Sequence, residues 1–100
     1  MDLQEVKRVK RFEYKVPGGK LLRAKVEVDA GRITFLQLTG DFFMEPETDL
    51  EELETRLMGM RAEPVAIKGQ VVSFFTAHKT MIAGASPRDF AYVINQAIRA

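Results

Sequence analysis

The stretch Lys15-Val16-Pro17-Gly18-Gly19-Lys20-Leu21-Leu22-Arg23-Ala24-Lys25-Val26-Glu27-Val28-Asp29-Ala30 decides how this chain folds. Pro17 presets φ for the second position of a tight turn, and Gly18 and Gly19 tolerate the positive φ that such turns demand. From Lys20 onward the residues alternate. Leu22, Ala24, Val26, Val28 and Ala30 fall on one side, and Arg23, Lys25, Glu27 and Asp29 on the other. Period two with one apolar side is the pattern of a half-buried antiparallel strand, so the turn reads as the tip of a hairpin.

Toward the N-terminus, Phe12, Tyr14 and Val16 recur at period two opposite Arg11, Glu13 and Lys15, which gives the first strand. The basic run Lys7-Arg8-Val9-Lys10-Arg11 leads into it, and residues 1–5 read as a frayed lead-in. Toward the C-terminus, Ala30-Gly31-Arg32 closes the second strand, with Gly31 as the turn residue, and Ile33 to Thr39 forms the third. Its pattern slips phase, with Ile33 and Phe35 on one parity and Leu36 and Leu38 on the other. Either a bulge near Phe35-Leu36 or a central strand buried on both faces produces such a slip. Residues 6–40 thus make an antiparallel meander.

Gly40-Asp41-Phe42-Phe43-Met44 then leaves the sheet. Two adjacent phenylalanines beside an aspartate have two readings. They form a contact surface or pocket rim, or both rings tuck under the following helix while Asp41 bonds amides of its own turn.

Residues 48–100 read as helical. Thr48 caps a helix whose apolar positions Leu50, Leu53, Leu57 and Met58 share a face and which Gly59 stops; Asp49, Glu51 and Glu52 suit the positive end of its dipole. Glu63-Pro64 opens a second helix with the stripe Ile67, Val71, Phe74, Phe75 and His78, against the strand propensity of its valines and the weakness of Gly69. Met81-Ile82-Ala83-Gly84 is a short extended link able to add a fourth edge strand. Ser86-Pro87-Arg88-Asp89 is a helix start of capping-box type, and Phe90, Val93, Ile94, Ala97 and Ile98 face the core behind it. The fold class is α+β. One domain, residues 1–100, carries a three-stranded antiparallel meander with about three helices packed on one face.

Composition narrows the chemistry. The chain has no cysteine, which excludes disulfides, thiol nucleophiles and thiolate metal sites. Met1-Asp2-Leu3-Gln4-Glu5 has no apolar run, so no signal peptide is expected, and no segment approaches the roughly 18 apolar residues of a membrane span. A soluble, cytoplasmic protein is expected. The net charge of +1 hides a polarity: eight of the fifteen basic residues lie in Lys7 to Lys25, and seven of the fourteen acids in Asp41 to Glu54. A nucleic-acid module would use that basic face, with Phe12 and Tyr14 stacking on bases. Glu13, Glu27 and Asp29 interrupt it and favour an ordinary solvated strand face.

No catalytic set stands out. Gly18-Gly19-Lys20 lacks the spacing, the following Ser or Thr and the trailing helix of a phosphate loop. Asp49, Glu52 and Glu54 are not spaced as a calcium loop, and no metal site is expected. His78 is the sole histidine, with no nucleophile or orienting acid fixed by sequence, and reads as a helix-end residue.

Taken in order, Lys15-Val16-Pro17-Gly18-Gly19-Lys20-Leu21, Gly40-Asp41-Phe42-Phe43 with Pro46, Leu50-Glu51-Glu52-Leu53-Glu54 to Leu57 and Gly59, and Ser86-Pro87-Arg88-Asp89-Phe90 resemble the accessory domain of lipoate-protein ligases over residues 12–100. In that family the domain is fused behind the catalytic domain or, in archaeal-type bipartite ligases, is a separate small subunit. The length and the Met1 start fit the latter. The resemblance implies a fold similar to iron-sulfur scaffold proteins, whose thiolate chemistry a chain without cysteine does not share.

It also implies a heterodimer with a catalytic large subunit. That subunit uses ATP, magnesium and lipoate to form lipoyl-adenylate and then lipoylates an acceptor domain. This chain is expected to bind none of these cofactors and to be inactive alone. The residues expected to meet the large subunit are Lys15, Pro17, Gly18, Gly19 and Lys20 of the first turn and Gly40, Asp41, Phe42 and Phe43 of the second corner. Lys20 would face a phosphate or carboxylate on the partner, and Phe42 or Phe43 would anchor the contact.

Overall fold

The computed structural model describes residues 8–100. The lead-in expected at residues 1–5 and the Lys7 end of the basic run lie outside the described residues. Strands β1 (Lys10–Lys15), β2 (Leu21–Asp29) and β3 (Arg32–Gly40) form one antiparallel sheet in the order β1-β2-β3. Strand β4 (Phe43–Glu45) follows, then helices α1 (Thr48–Leu57) and α2 (Pro64–His78), strand β5 (Met81–Ala83) and helix α3 (Pro87–Arg99).

The alternation read in β2 is what the sheet buries. Leu22, Ala24 and Val26 are at most 1% exposed while Arg23 and Lys25 face solvent. Ala30 does not extend that apolar face. It sits with Gly31 at positive φ (52° and 79°) in a two-residue turn between the paired Asp29 and Arg32. Positive φ at both central positions matches the turn to the sheet's right-handed twist. The phase slip in β3 is a bulge: Glu27 pairs with Phe35 and Val28 with Ile33, leaving Thr34 as the extra residue. The Thr34 hydroxyl donates to the Glu27 carboxylate at 2.9 Å. The bulge lets Ile33, Leu36 and Leu38 all point inward, although β3 is an edge strand and β2 the central one.

That edge is covered. Ile33 N–H donates to the Met60 carbonyl, Gly59 N–H to Ile33, and Ala62 N–H to Gly31, while the Glu54 carboxylate accepts Leu38 N–H at 2.7 Å. An otherwise open strand edge is thereby closed by the segment after α1.

Helix α3 lies on β1 and β2, α1 against β3 and β4, and α2 on both other helices. Leu53, Leu57, Ile67, Val71, Phe74, Phe90, Val93 and Ile94 join the sheet's apolar face in one core. Met58, expected on the buried side of α1, is exposed, and Leu50 is half-buried. The cap of α1 is also one residue earlier than expected. Glu47 occupies it without a side-chain bond, and Thr48 is already helical. The other helix starts hold: Glu63 accepts Ala66 N–H at 3.0 Å, and Ser86 and Asp89 close a reciprocal capping box.

Strand β5 is not a fourth edge strand of the main sheet. It pairs with β4 as a separate two-stranded ribbon, Phe43 opposite Ala83, Met44 opposite Ile82 and Glu45 opposite Met81. The link after α2 therefore returns to the Gly40–Phe43 corner.

Candidate functional site

Three chain segments meet at the end of the sheet where the Pro17 turn lies. In that turn Gly19 N–H donates to Val16 at 2.8 Å around Pro17 and a Gly18 with φ of 71°, the geometry of a type II turn. Gly19 itself does not need positive φ. Its missing side chain is required because a Cβ would run into the Gly84 carbonyl and lie 2.9 Å from Val16. Lys20 N–H donates to that same carbonyl at 2.8 Å, and Asp41 N–H donates to Leu21 at 2.9 Å. Gly84 completes the junction: at φ of 96° its Cα lies so close to Lys20 that a Cβ would be 2.6 Å from Cγ. The two corners read from sequence thus meet at one junction, and Gly84 is a third member of it that the sequence did not single out. Its signal, a glycine two residues before a capping box, is shared with ordinary loop residues.

The side chains divide between support and display. Phe42 turns inward and packs edge-on against Phe90 of α3, with ring centroids 5.0 Å apart. Phe43 is 59% exposed and Met81 69%. The ribbon register puts Phe43, Glu45, Met81 and Ala83 on its outward side, while Met44 and Ile82 point to the core. Phe43 also lines an open groove of about 380 Å³ with Phe42, Met44 and Leu50, whose rim carries Glu47 and Glu51. Lys15 is committed locally, its ammonium donating to the Gly19 carbonyl at 2.8 Å. Lys20 and Asp41 are exposed, and among the described residues neither side chain has a hydrogen-bond or ion-pair partner.

A second polar cluster ties α1 to α2. Asp49, 6% exposed, accepts the Thr80 hydroxyl at 2.6 Å. His78 stacks on Phe74 with ring centroids 3.9 Å apart, and the Arg56 guanidinium lies 5.4 Å from the same ring. His78 Nδ1 is 2.9 Å from the Phe74 carbonyl and Nε2 is 3.3 Å from the Glu52 carboxylate. The bond to Phe74 raises the His78 pKa most; partial desolvation opposes it, and Glu52 and then Asp49 add to the rise. Burial pushes the Glu54 carboxyl above its usual range, against the lowering effect of the Leu38 N–H, and Glu51 raises it further. Each acid considered for a metal is therefore engaged with protein. Among the described residues no group of three or more histidine or acidic side chains is placed to hold a metal ion.

The basic face of the meander is mixed rather than uniformly positive. Arg23 pairs with Glu13 at 3.2 Å on the outward side of β1 and β2. No helix among the described residues is long and apolar enough to cross a membrane.

Residues 5–94 match the family model described as the bacterial lipoate protein ligase C-terminus. The chain belongs to the lipoate protein ligase C-terminal family. Two relatives agree with that membership. Lipoate-protein ligase A subunit 2 of Thermoplasma acidophilum is 31% identical over 70 residues, 70% of this chain and 71% of the relative. A chain from the structure of an archaeal lipoylation system of the same organism, a bipartite lipoate protein ligase and its E2 lipoyl domain, superposes with a TM-score of 0.71 at 27% identity, covering 89% of this chain and 94% of that one. Within the family's matched region lie both glycine corners, the β4–β5 ribbon and most of α3.

Proposed function

We propose that this chain is the non-catalytic accessory subunit of a bipartite lipoate-protein ligase. It docks on a catalytic subunit through the glycine junction and the β4–β5 ribbon. One observation carries the reading: Phe43 and Met81 stand exposed on a ribbon whose other side is locked into the core, beside the uncommitted charges of Lys20 and Asp41. An apolar pair rimmed by polar groups on a rigid base is a docking surface rather than a reaction centre.

The reaction itself belongs to the catalytic subunit. There the lipoate carboxylate attacks the α-phosphorus of ATP, pyrophosphate leaves, and the acceptor lysine amine then displaces AMP from lipoyl-adenylate. ATP, magnesium and lipoate are held on that subunit in this reading, and a cytoplasmic setting goes with its use of ATP. The accessory chain acts by binding the adenylating conformation better than the resting one. It can shift that equilibrium only by its difference in affinity for the two. Gly19, Gly40 and Gly84 let three backbones pack closely enough to present Lys20, Asp41 and Phe43 together. The acidic rim of Glu47 and Glu51 favours an apolar partner side chain flanked by a cation.

Sedimentation of the two purified subunits tests the assignment. A 1:1 complex that Phe43→Ala weakens about 30-fold, the effect of losing one interface anchor of ~2 kcal/mol, supports it. No association at micromolar concentrations, or an affinity indifferent to Phe43→Ala and Lys20→Ala together, overturns it.

A further inference from the structure

A second surface starts near the glycine junction and leads away from it. It is an open groove of about 450 Å³ along α3, lined by Arg88 at the start of that helix, Arg99 at its end, Lys68 of α2, and Tyr14 and Tyr92. None of the three cations has an ion-pair or hydrogen-bond partner among the described residues. The acid in the groove, Asp89, is already engaged, accepting the Ser86 N–H at 2.8 Å and the Ser86 hydroxyl at 2.9 Å. Arg88 and Arg99 lie eleven residues apart on α3, which spaces them roughly 16 Å along the helix.

We infer that this groove is the docking surface for an acidic face of the lipoyl acceptor protein, holding it while its lysine reaches the adenylate. The inference rests on the accessory-subunit reading. Charge complementarity identifies the occupant as anionic, since three unpaired cations around one hydrogen-bonded acid leave the groove net positive. Tyr92, 43% exposed, packs on Tyr14 at 4.7 Å and edge-on against Phe12 at 6.4 Å, a fixed aromatic patch that suits an amphipathic protein surface, and a nucleic-acid strand is the other anionic occupant that the test separates. Continuity assigns the role: Arg88 follows Gly84 by four residues, so the groove begins beside the junction proposed to meet the catalytic subunit and runs from there along α3.

The test uses the assembled ligase and an unlipoylated acceptor domain. The triple variant Lys68→Glu, Arg88→Glu, Arg99→Glu replaces three exposed side chains outside the core. Lipoyl transfer with this variant should show an apparent KM for the acceptor raised at least tenfold and a flatter dependence on salt, with lipoate-dependent ATP–pyrophosphate exchange unchanged. An unchanged acceptor KM at intact exchange overturns the inference. So does loss of exchange, which would assign the groove to the catalytic subunit. Tight binding of a single-stranded oligonucleotide by the native chain, abolished in the triple variant, overturns it in favour of a nucleic-acid surface. If the native chain fails to stimulate exchange at all, it is the accessory-subunit reading that fails.

Discussion

The amide of Lys20 donates to the carbonyl of Gly84 at 2.8 Å, joining a turn near the start of the chain to a link 64 residues later. This bond sets the Pro17 turn against the β4–β5 ribbon. The contact leaves no room for a Cβ at either Gly19 or Gly84. Gly84→Ala adds strain at φ of 96° and a contact 2.6 Å from Lys20 Cγ. A stability loss of about 1–3 kcal/mol is expected. Affinity for the catalytic subunit should fall with it. Gly69→Ala is the control: its Cβ meets nothing within 4 Å in the middle of α2, so a gain of about 0.5–1 kcal/mol is expected. Urea denaturation reads both, and equal effects would mean the junction is not tightly packed.

The two phenylalanines of the corner should separate cleanly. Phe42→Ala removes a ring packed on Phe90 and is expected to cost about 2–3 kcal/mol of stability, short of the ~3–5 kcal/mol of a fully buried phenylalanine. Phe43→Ala removes an exposed ring and should change stability by no more than about 0.5 kcal/mol while weakening the complex. Thermal denaturation alongside binding of the catalytic subunit distinguishes them.

How far the sequence led depends on what its local patterns encode. The β2 alternation, the Glu63-Pro64 start and the Ser86–Asp89 box are local signals, and all three elements form where those residues place them. The bulge was visible as a parity slip in β3, but only the register locates the extra residue at Thr34, ahead of Phe35. The partnership of β5 with β4 was not legible, because three-residue strands carry too little pattern to choose between two sheets. Nor was the split between Phe42 and Phe43, since neighbours along an extended segment point to opposite sides and only tertiary packing decides which is inside. The pairings of Asp49 with Thr80 and Glu52 with His78 span 31 and 26 residues, beyond any spacing rule.

The Asp49–Thr80 bond satisfies a buried carboxylate and should contribute measurably to stability. Thr80→Val leaves a carboxylate that is 6% exposed without its hydroxyl donor, at an expected cost of about 1–3 kcal/mol. Thr80→Ser retains the donor and should recover most of that loss. Chemical denaturation of the pair checks it, and a Thr80→Val variant as stable as the native chain would show that the bond contributes nothing.

Protonation of His78 should strengthen the α1–α2 contact. Both ring nitrogens face acceptors, and only the imidazolium can donate to Phe74 and Glu52 at once. Its folded pKa is therefore raised above the ordinary value of 6.5. The sign follows: the stabilisation is fully present below the unfolded pKa and is lost as pH rises through the folded one. Titration of the imidazole by NMR should give a midpoint above 6.5 that drops in Glu52→Gln. A midpoint below 6.5, insensitive to Glu52, contradicts the geometry.

In the accessory-subunit reading, this chain enables adenylation without supplying catalytic groups. Lipoate-dependent exchange of pyrophosphate into ATP, measured on the catalytic subunit with and without this chain, tests it most directly. Exchange is expected only when both are present, with an activity that falls as Phe43→Ala weakens the complex. Exchange by the catalytic subunit alone at an undiminished rate, unaffected by adding this chain, would contradict it.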